Sequence, residues 1–179
     1  MPYFAPDNVT FAFRQGDEPP QGGGCPIGGE FVYKTSRELF AGKRVIIFSL
    51  PGAFTPTCST YQLPGFEEMY DEFRAQGIDE IYCCSVNDAF VMNEWARQLG
   101  IKKVKMLPDG NGDFTRLMGM LVSKSKIGFG LRSHRYAVIL TDMVREHLFV
   151  EPGREDNFGS DPYGESSPEN VMKALKGTK

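Results

Sequence analysis

The sequence predicts an α/β fold, a central mixed sheet flanked by helices, on three observations. Short runs rich in β-branched and aromatic residues alternate with helical patterns along most of the chain. One run, Val45-Ile46-Ile47-Phe48-Ser49-Leu50, is apolar almost throughout, as a central strand covered on both faces requires. Two closely spaced strand candidates and a terminal helix then close the chain, so parallel and antiparallel pairing are both expected.

The elements follow in order. Residues 9–14 and 31–34 read as strands, separated by a Gly- and Pro-rich stretch (19–29) that opposes helix and strand alike. Thr35-Ser36-Arg37-Glu38 is a capping-box pattern ahead of Leu39 and Phe40, with Gly42 placed to close a short helix. The central strand at 45–50 comes next. Phe66, Met69, Tyr70 and Phe73 recur at i, i+3, i+4 and i+7, the spacing of one amphipathic helix ending near Gly77. After a strand at 80–86, Val91, Trp95 and Leu99 repeat every four residues and Gly100 stops the helix. Strands at 104–107, 136–140 and 144–150 follow. Ser167-Pro168 supplies the N-cap and first-turn proline of a last helix through Leu175. Gly110-Asn111-Gly112 lacks the lysine of a phosphate loop and reads as a turn, while Met106, Met118 and Met120 read as core or interface positions.

With 179 residues the chain has room for one domain, 1–179, with a sizeable core. A net charge of −3 provides no basic field for nucleic acid. No apolar run approaches the ~18–20 residues that span a bilayer, and the N-terminus lacks the basic and apolar regions of a secretory signal. Four cysteines without a C-x-x-C pair or metal-ligand spacing fit neither a disulfide scaffold nor a metal site. A cytoplasmic location with reduced thiols is expected, and no metal or bound cofactor.

The most informative stretch is Pro51-Gly52-Ala53-Phe54-Thr55-Pro56-Thr57-Cys58, directly after the central strand. Thr55 before Pro56 reads as an N-cap and first helical position. Cys58 then falls in the first helical turn, where unpaired N–H groups and the helix dipole favour a thiolate. The flanking Pro and Thr residues point to a turn that presents the sulfur rather than burying it. Pro64-Gly65 is expected to kink the helix soon afterwards, because Pro64 cannot donate to the preceding turn.

Pro51-x-x-x-Thr55-x-x-Cys58 resembles the active-site signature of the peroxiredoxins, and the run from Leu50 to Ser59 resembles their type-five subfamily. Ser85-Val86-Asn87-Asp88-Ala89-Phe90, Glu94-Trp95, Pro108-Asp109-Gly110-Asn111-Gly112 and Arg132-Ser133-His134-Arg135-Tyr136 match in the same order. The resemblance implies a thioredoxin-like fold and thiol-dependent reduction of hydrogen peroxide and organic hydroperoxides. It implies roles as well. Cys58 becomes the peroxidatic thiolate and Thr55 hydrogen-bonds both the thiolate and the peroxide. Arg135 holds the thiolate and the developing oxyanion, with Arg132 supporting it or nearby backbone. Pro51 shields the site from water and the Cys58 amide donates to the peroxide.

A free thiol of pKa ~8.5 is about 3% ionised at neutral pH, so full ionisation gains at most about 30-fold. Enzymatic accelerations commonly begin near ~10⁶-fold, so alignment and charge stabilisation must supply most of the effect. A planar, always-charged guanidinium suits that work better than an ammonium.

Relatives of this kind often carry a resolving cysteine after a Val-Glu-Pro pattern. Here Val150-Glu151-Pro152 is followed by none, which leaves Cys25, Cys83 and Cys84. Cys83 and Cys84 lie in one strand and point to opposite faces, so strand packing is the default for both. Cys83 matches a cysteine viewed as resolving in plant-type relatives, and could reach Cys58 only if the helix start unwound. Cys25, in the loop, is expected to be an exposed bystander, with intermolecular bridging as its alternative. The expected cycle therefore uses one cysteine, with glutathione or glutaredoxin as the external thiol reductant and thioredoxin as the alternative donor. The runs 50–59, 85–93 and 108–120 look most like bacterial relatives with a C-terminally fused glutaredoxin domain; here that partner is expected in trans. Phe54 and Tyr136 are expected at the homodimer contact usual for the subfamily.

Three rival readings carry less. A cysteine hydrolase would pair Cys58 with His134 or His147 as base. A thiol–disulfide oxidoreductase needs a nearby second thiol. A non-enzymatic binding or chaperone-like protein would retain its function without Cys58.

Overall fold

The computed structural model describes residues 3–18 and 27–177; Cys25 and most of the Gly- and Pro-rich stretch lie outside them. Five strands form the central sheet in the order β5-β4-β3-β8-β9, comprising β3 (Arg44–Ser49), β4 (Glu80–Ser85), β5 (Lys105–Pro108), β8 (Tyr136–Thr141) and β9 (Val144–Val150). β3, β4 and β5 run parallel, whereas β8 is antiparallel to β3 and β9 to β8, giving the expected mixed sheet.

Alternation along each strand divides the core into two layers. Ile46, Phe48, Ile81, Cys83, Ala137 and Ile139 face one side with Phe66, Phe73, Met92, Trp95, Val171 and Leu175. Val45, Ile47, Tyr82, Cys84, Tyr136, Val138 and Leu140 face the other with Phe11, Phe40 and Phe114. The first side is covered by α2 (Leu63–Glu68), α3 (Tyr70–Ala75), α4 (Ala89–Gln98) and α6 (Pro168–Gly177). Phe48 and Phe66 stack at 4.1 Å with rings 8° from parallel, which presses the helix after Cys58 onto the central strand. The second side is covered by α1 (Ser36–Phe40), α5 (Asp113–Leu117) and β1 (Thr10–Glu18), which pairs with β2 (Ile27–Thr35) as a separate hairpin. No helix is long and apolar enough to cross a membrane among the described residues.

The local signals carry over with some changes. The Thr35 capping box is complete, and the Ser167 hydroxyl accepts from the Asn170 N–H (3.3 Å) at the start of α6. The strand after the Gly-rich stretch begins at Ile27, earlier than expected. The helix expected over Phe66–Phe73 is two, broken at Met69, whose φ/ψ of −86°/6° leaves the helical region. The hairpin of β6 (Leu121–Ser123) and β7 (Leu131–Ser133) was not expected: its strands are three residues each, too short for a periodic signal. Its position matters, because β7 leads straight into Arg135.

Candidate active site

The chain leaves β3 through a tight turn in which Phe54 adopts φ +63°, a left-handed conformation that costs a bulky residue about 1–3 kcal/mol. Two contacts impose it. The Ala53 N–H donates to Asn87 Oδ1 (3.0 Å), which also accepts from Ser85 Oγ (2.7 Å) at the end of β4. The Thr55 hydroxyl donates to the Gly52 carbonyl at 2.8 Å. Asn87 thus ties the turn to the neighbouring strand, while Asp88 caps α4 through the Val91 N–H.

Helical structure starts at Pro56, with the Ser59 N–H donating to the Thr55 carbonyl (3.0 Å), so Thr55 does hold the N-cap position. Cys58–Gln62 is a π-helical segment in which the Leu63 N–H donates to the Cys58 carbonyl. Pro64 explains the wide turn, since its ring would collide with the Thr60 carbonyl in α geometry and it has no N–H to give. The kink expected at Pro64 therefore appears as a widened turn before it. The indole N–H of Trp95 donates to Ser59 Oγ (3.0 Å), fixing this segment against α4.

Cys58 is 0% exposed and packs in the first core layer, contrary to the expectation that the turn presents its sulfur. The turn and the π segment rotate the side chain inward, toward Arg135 arriving from the start of β8. Arg135 is itself 2% exposed. Its Nη1 lies 3.5 Å from Cys58 Sγ and 2.6 Å from Gln62 Oε1, and its Nη2 lies 2.7 Å from each carboxylate oxygen of Asp161. Burial pulls the guanidinium pKa down, but the facing Cys58 thiol and Asp161 carboxylate outweigh it and the net shift is upward. Arg135 is a permanent buried cation beside the sulfur.

Behind it a chain of hydrogen bonds anchors the segment that follows β9. Gln62 Nε2 donates to Ser166 Oγ (3.2 Å), and Ser166 Oγ donates to Glu151 Oε1 (2.8 Å). Glu151 Oε1 also accepts from the N–H groups of Gly164 (2.9 Å) and Ser166 (2.8 Å). Burial raises the Glu151 pKa, yet these donors prevail and hold it below the usual carboxylate value of 4.5. Its stabilising contribution is therefore complete above pH 4.5 and is lost as the pH falls through the lower folded value. Glu151→Ala leaves several inward donors unpaired and is expected to cost at least about 2 kcal/mol. Thermal melting across pH 3–7 checks this: the variant melts lower at neutral pH, and the gap narrows in acid.

The other expected site residues fall as follows. Thr55 forms no hydrogen bond to Cys58 or Arg135; its hydroxyl donates inside the turn, to the Gly52 carbonyl. Pro51 borders both a small void beside Arg135 and a cleft of about 530 Å³ that Thr55 also lines. Arg132 does not touch Arg135. It donates to the Pro51 carbonyl (3.4 Å) and the Phe129 carbonyl (3.0 Å), so it supports backbone, and a Cβ at Gly52 would sit 2.8 Å from its Nη1. Cys83 is buried in β4 between Phe48 and Met106, and burial raises its thiol pKa well above normal. Cys84 lies in the opposite core layer, as strand alternation requires. Tyr136 is 0% exposed in the core, so it cannot contact a second copy; a central strand flanked on both sides leaves it no path to the surface. Phe54 is half-exposed. His134 donates from Nε2 to the Glu151 carbonyl (2.7 Å), so that nitrogen serves backbone rather than Cys58, and burial pushes its pKa down.

Gln62, Glu151, Asp161 and Ser166 were not singled out from the sequence. Only Gln62 carried a signal, standing four residues after Cys58 on the same helical face.

A buried thiol, facing a permanent cation at a strand–helix turn, suits two-electron attack on a polarised bond whose leaving atom becomes anionic. The redoxin family model matches residues 29–161. A peroxiredoxin of Rhizobium etli is 57% identical over 168 residues, covering 94% of this chain and 92% of that protein. A hybrid peroxiredoxin of Haemophilus influenzae is 44% identical over 167 residues, covering 93% of this chain and 63% of that protein. The crystal structure of a Plasmodium falciparum antioxidant protein, a 1-Cys peroxiredoxin, superposes with a TM-score of 0.87 at 36% identity, covering 98% of both chains. The thiol, the fold and these relatives agree: the chain belongs to the peroxiredoxin family and is a thiol peroxidase.

Proposed function

We propose that Cys58 is the peroxidatic cysteine of a one-cysteine cycle, regenerated by glutathione or glutaredoxin. The observation that carries the assignment is the 3.5 Å approach of Arg135 Nη1 to Cys58 Sγ inside the fold. The thiolate attacks the distal peroxide oxygen; an S–O bond forms as the O–O bond breaks. Sulfur is oxidised by two electrons to sulfenic acid, and the departing oxygen takes a proton from solvent to leave as water or alcohol. Arg135 stabilises the charge that develops on that oxygen. Thr55 gives up its bond to Gly52 to orient the peroxide, and Pro51 limits water at the mouth.

Glutathione then attacks the sulfenic sulfur and expels water. A second thiol, from glutathione or glutaredoxin, resolves the mixed disulfide. Two observations support this route over the thioredoxin route with Cys83 as resolving thiol. Cys83 is held on both sides by β3 and β5 with its thiol pKa raised, so little thiolate is available. Cys58 is covered, and a tripeptide needs a smaller opening than a protein surface does. The similarity to a hybrid peroxiredoxin fits glutaredoxin as the partner. We place the chain in the cytoplasm, as a homodimer whose contact includes Phe54, with no bound cofactor.

Turnover of hydrogen peroxide with each reductant separately, in the parent and in Cys83→Ala, tests the cycle. Glutathione with glutaredoxin is expected to support both proteins equally. Equal turnover with thioredoxin alone, lost in Cys83→Ala, would reverse the assignment.

A further inference from the structure

The donors of Arg135 are fully committed on the side facing Cys58. Nη1 serves Gln62 Oε1 (2.6 Å) and approaches Cys58 Sγ (3.5 Å), and Nη2 serves both oxygens of Asp161 (2.7 Å each). Nε has no partner and is buried. The void beside Arg135, bordered by Pro51, Glu151 and Asp161, is about 10 Å³, the lower limit for a single water. A hydroperoxide, larger than water, has neither room nor a free Nη donor there.

The three hydrogen-bonding partners of Arg135 differ in how readily they can leave. Gln62 is 0% exposed and held from behind by Ser166, and Cys58 is 0% exposed. Asp161 has a side chain 46% exposed and lines the 530 Å³ cleft that also contains Pro51 and Thr55. A half-exposed carboxylate loses little by turning to water, since its ion pair competes with hydration.

We infer that Asp161 is a substrate-displaced positioning residue: its carboxylate occupies the Arg135 Nη2 donor that the leaving peroxide oxygen needs, and substrate enters from the cleft by taking its place. The inference rests on the peroxidase reading of this site. Two consequences follow from charge alone. With Asp161 in place Arg135 is held ready in its final orientation but neutralised. When Asp161 swings out, the cation faces the developing oxyanion without a competing negative charge.

Stopped-flow oxidation of the reduced full chain by hydrogen peroxide tests the inference. Asp161→Asn removes the charge at nearly constant shape, and its second-order rate constant is expected to rise about two- to fivefold, the size of an ion pair whose carboxylate is half-exposed. Asp161→Ala is expected to behave likewise and to be slowed by added acetate, which restores a carboxylate to Nη2, while the parent is not. A support role, with Asp161 merely bracing Arg135, lowers both rates instead. Rates at or below the parent's, or an Asp161→Ala rate indifferent to acetate, would overturn the inference. A parent that fails to consume hydrogen peroxide would overturn the reading beneath it. Melting curves of both variants confirm that the fold is shared.

Discussion

Serine in place of Cys58 abolishes hydroperoxide reduction while the protein stays folded. The substitution exchanges sulfur for a smaller oxygen in the first core layer and leaves Arg135 Nη1, 3.5 Å from the sulfur, with an acceptor. Fold stability therefore changes little. The chemistry does not survive, because a hydroxyl is a far weaker nucleophile than a thiolate and cannot pass through a sulfenic acid. Deleting a nucleophile costs on the order of 10⁶-fold elsewhere, and a loss to the uncatalysed level is expected here. Peroxide consumption with glutathione and glutaredoxin, beside a melting curve, checks both halves. Retained turnover would move the nucleophile to another thiol.

Arg135→Ala is expected to lower the rate of Cys58 oxidation by about 10²–10³-fold, the effect of removing one preorganised oxyanion donor. It also strands Gln62 Oε1, buried and without its 2.6 Å donor, while Asp161 turns to water. Destabilisation of about 1–3 kcal/mol should accompany the loss. Arg135→Lys separates charge from geometry. A single ammonium cannot serve Gln62, Cys58 and the position of Asp161 together, so its rate is expected between those of the alanine variant and the parent. Single-turnover oxidation, read against melting temperature, checks the series. A lysine variant as fast as the parent would show that charge alone suffices.

The parts of the fold written in local sequence were legible. The continuous apolar run of β3, the Thr35 capping box and the Ser167-Pro168 start each depend on neighbours within a few positions. So was the strand–helix turn that carries Pro51, Thr55 and Cys58, although Thr55 forms no hydrogen bond to Cys58 within it. What sequence could not show depends on distant partners or on competition between neighbours. Whether Cys58 points out or in depends on the turn containing the left-handed Phe54, and that turn is tied by Asn87 from the connection between β4 and α4. Gln62, Glu151 and Ser166 form one network only after α6 and the segment before it fold back over 104 residues. Asp161 sits in a Gly-Ser-Asp-Pro stretch that reads as loop, and nothing local marks its carboxylate as a partner of Arg135. Tyr136 looked like a contact residue beside a motif, but burial on both sides of β8 settles its place.

Intact and peptide mass spectrometry of the reduced protein after one equivalent of hydrogen peroxide tests the central claim most directly. One added oxygen is expected, located on Cys58, which glutathione converts to a single mixed disulfide at the same residue. Loss of two hydrogens with Cys58 linked to Cys83, or oxygen on another cysteine with Cys58 unchanged, would contradict it.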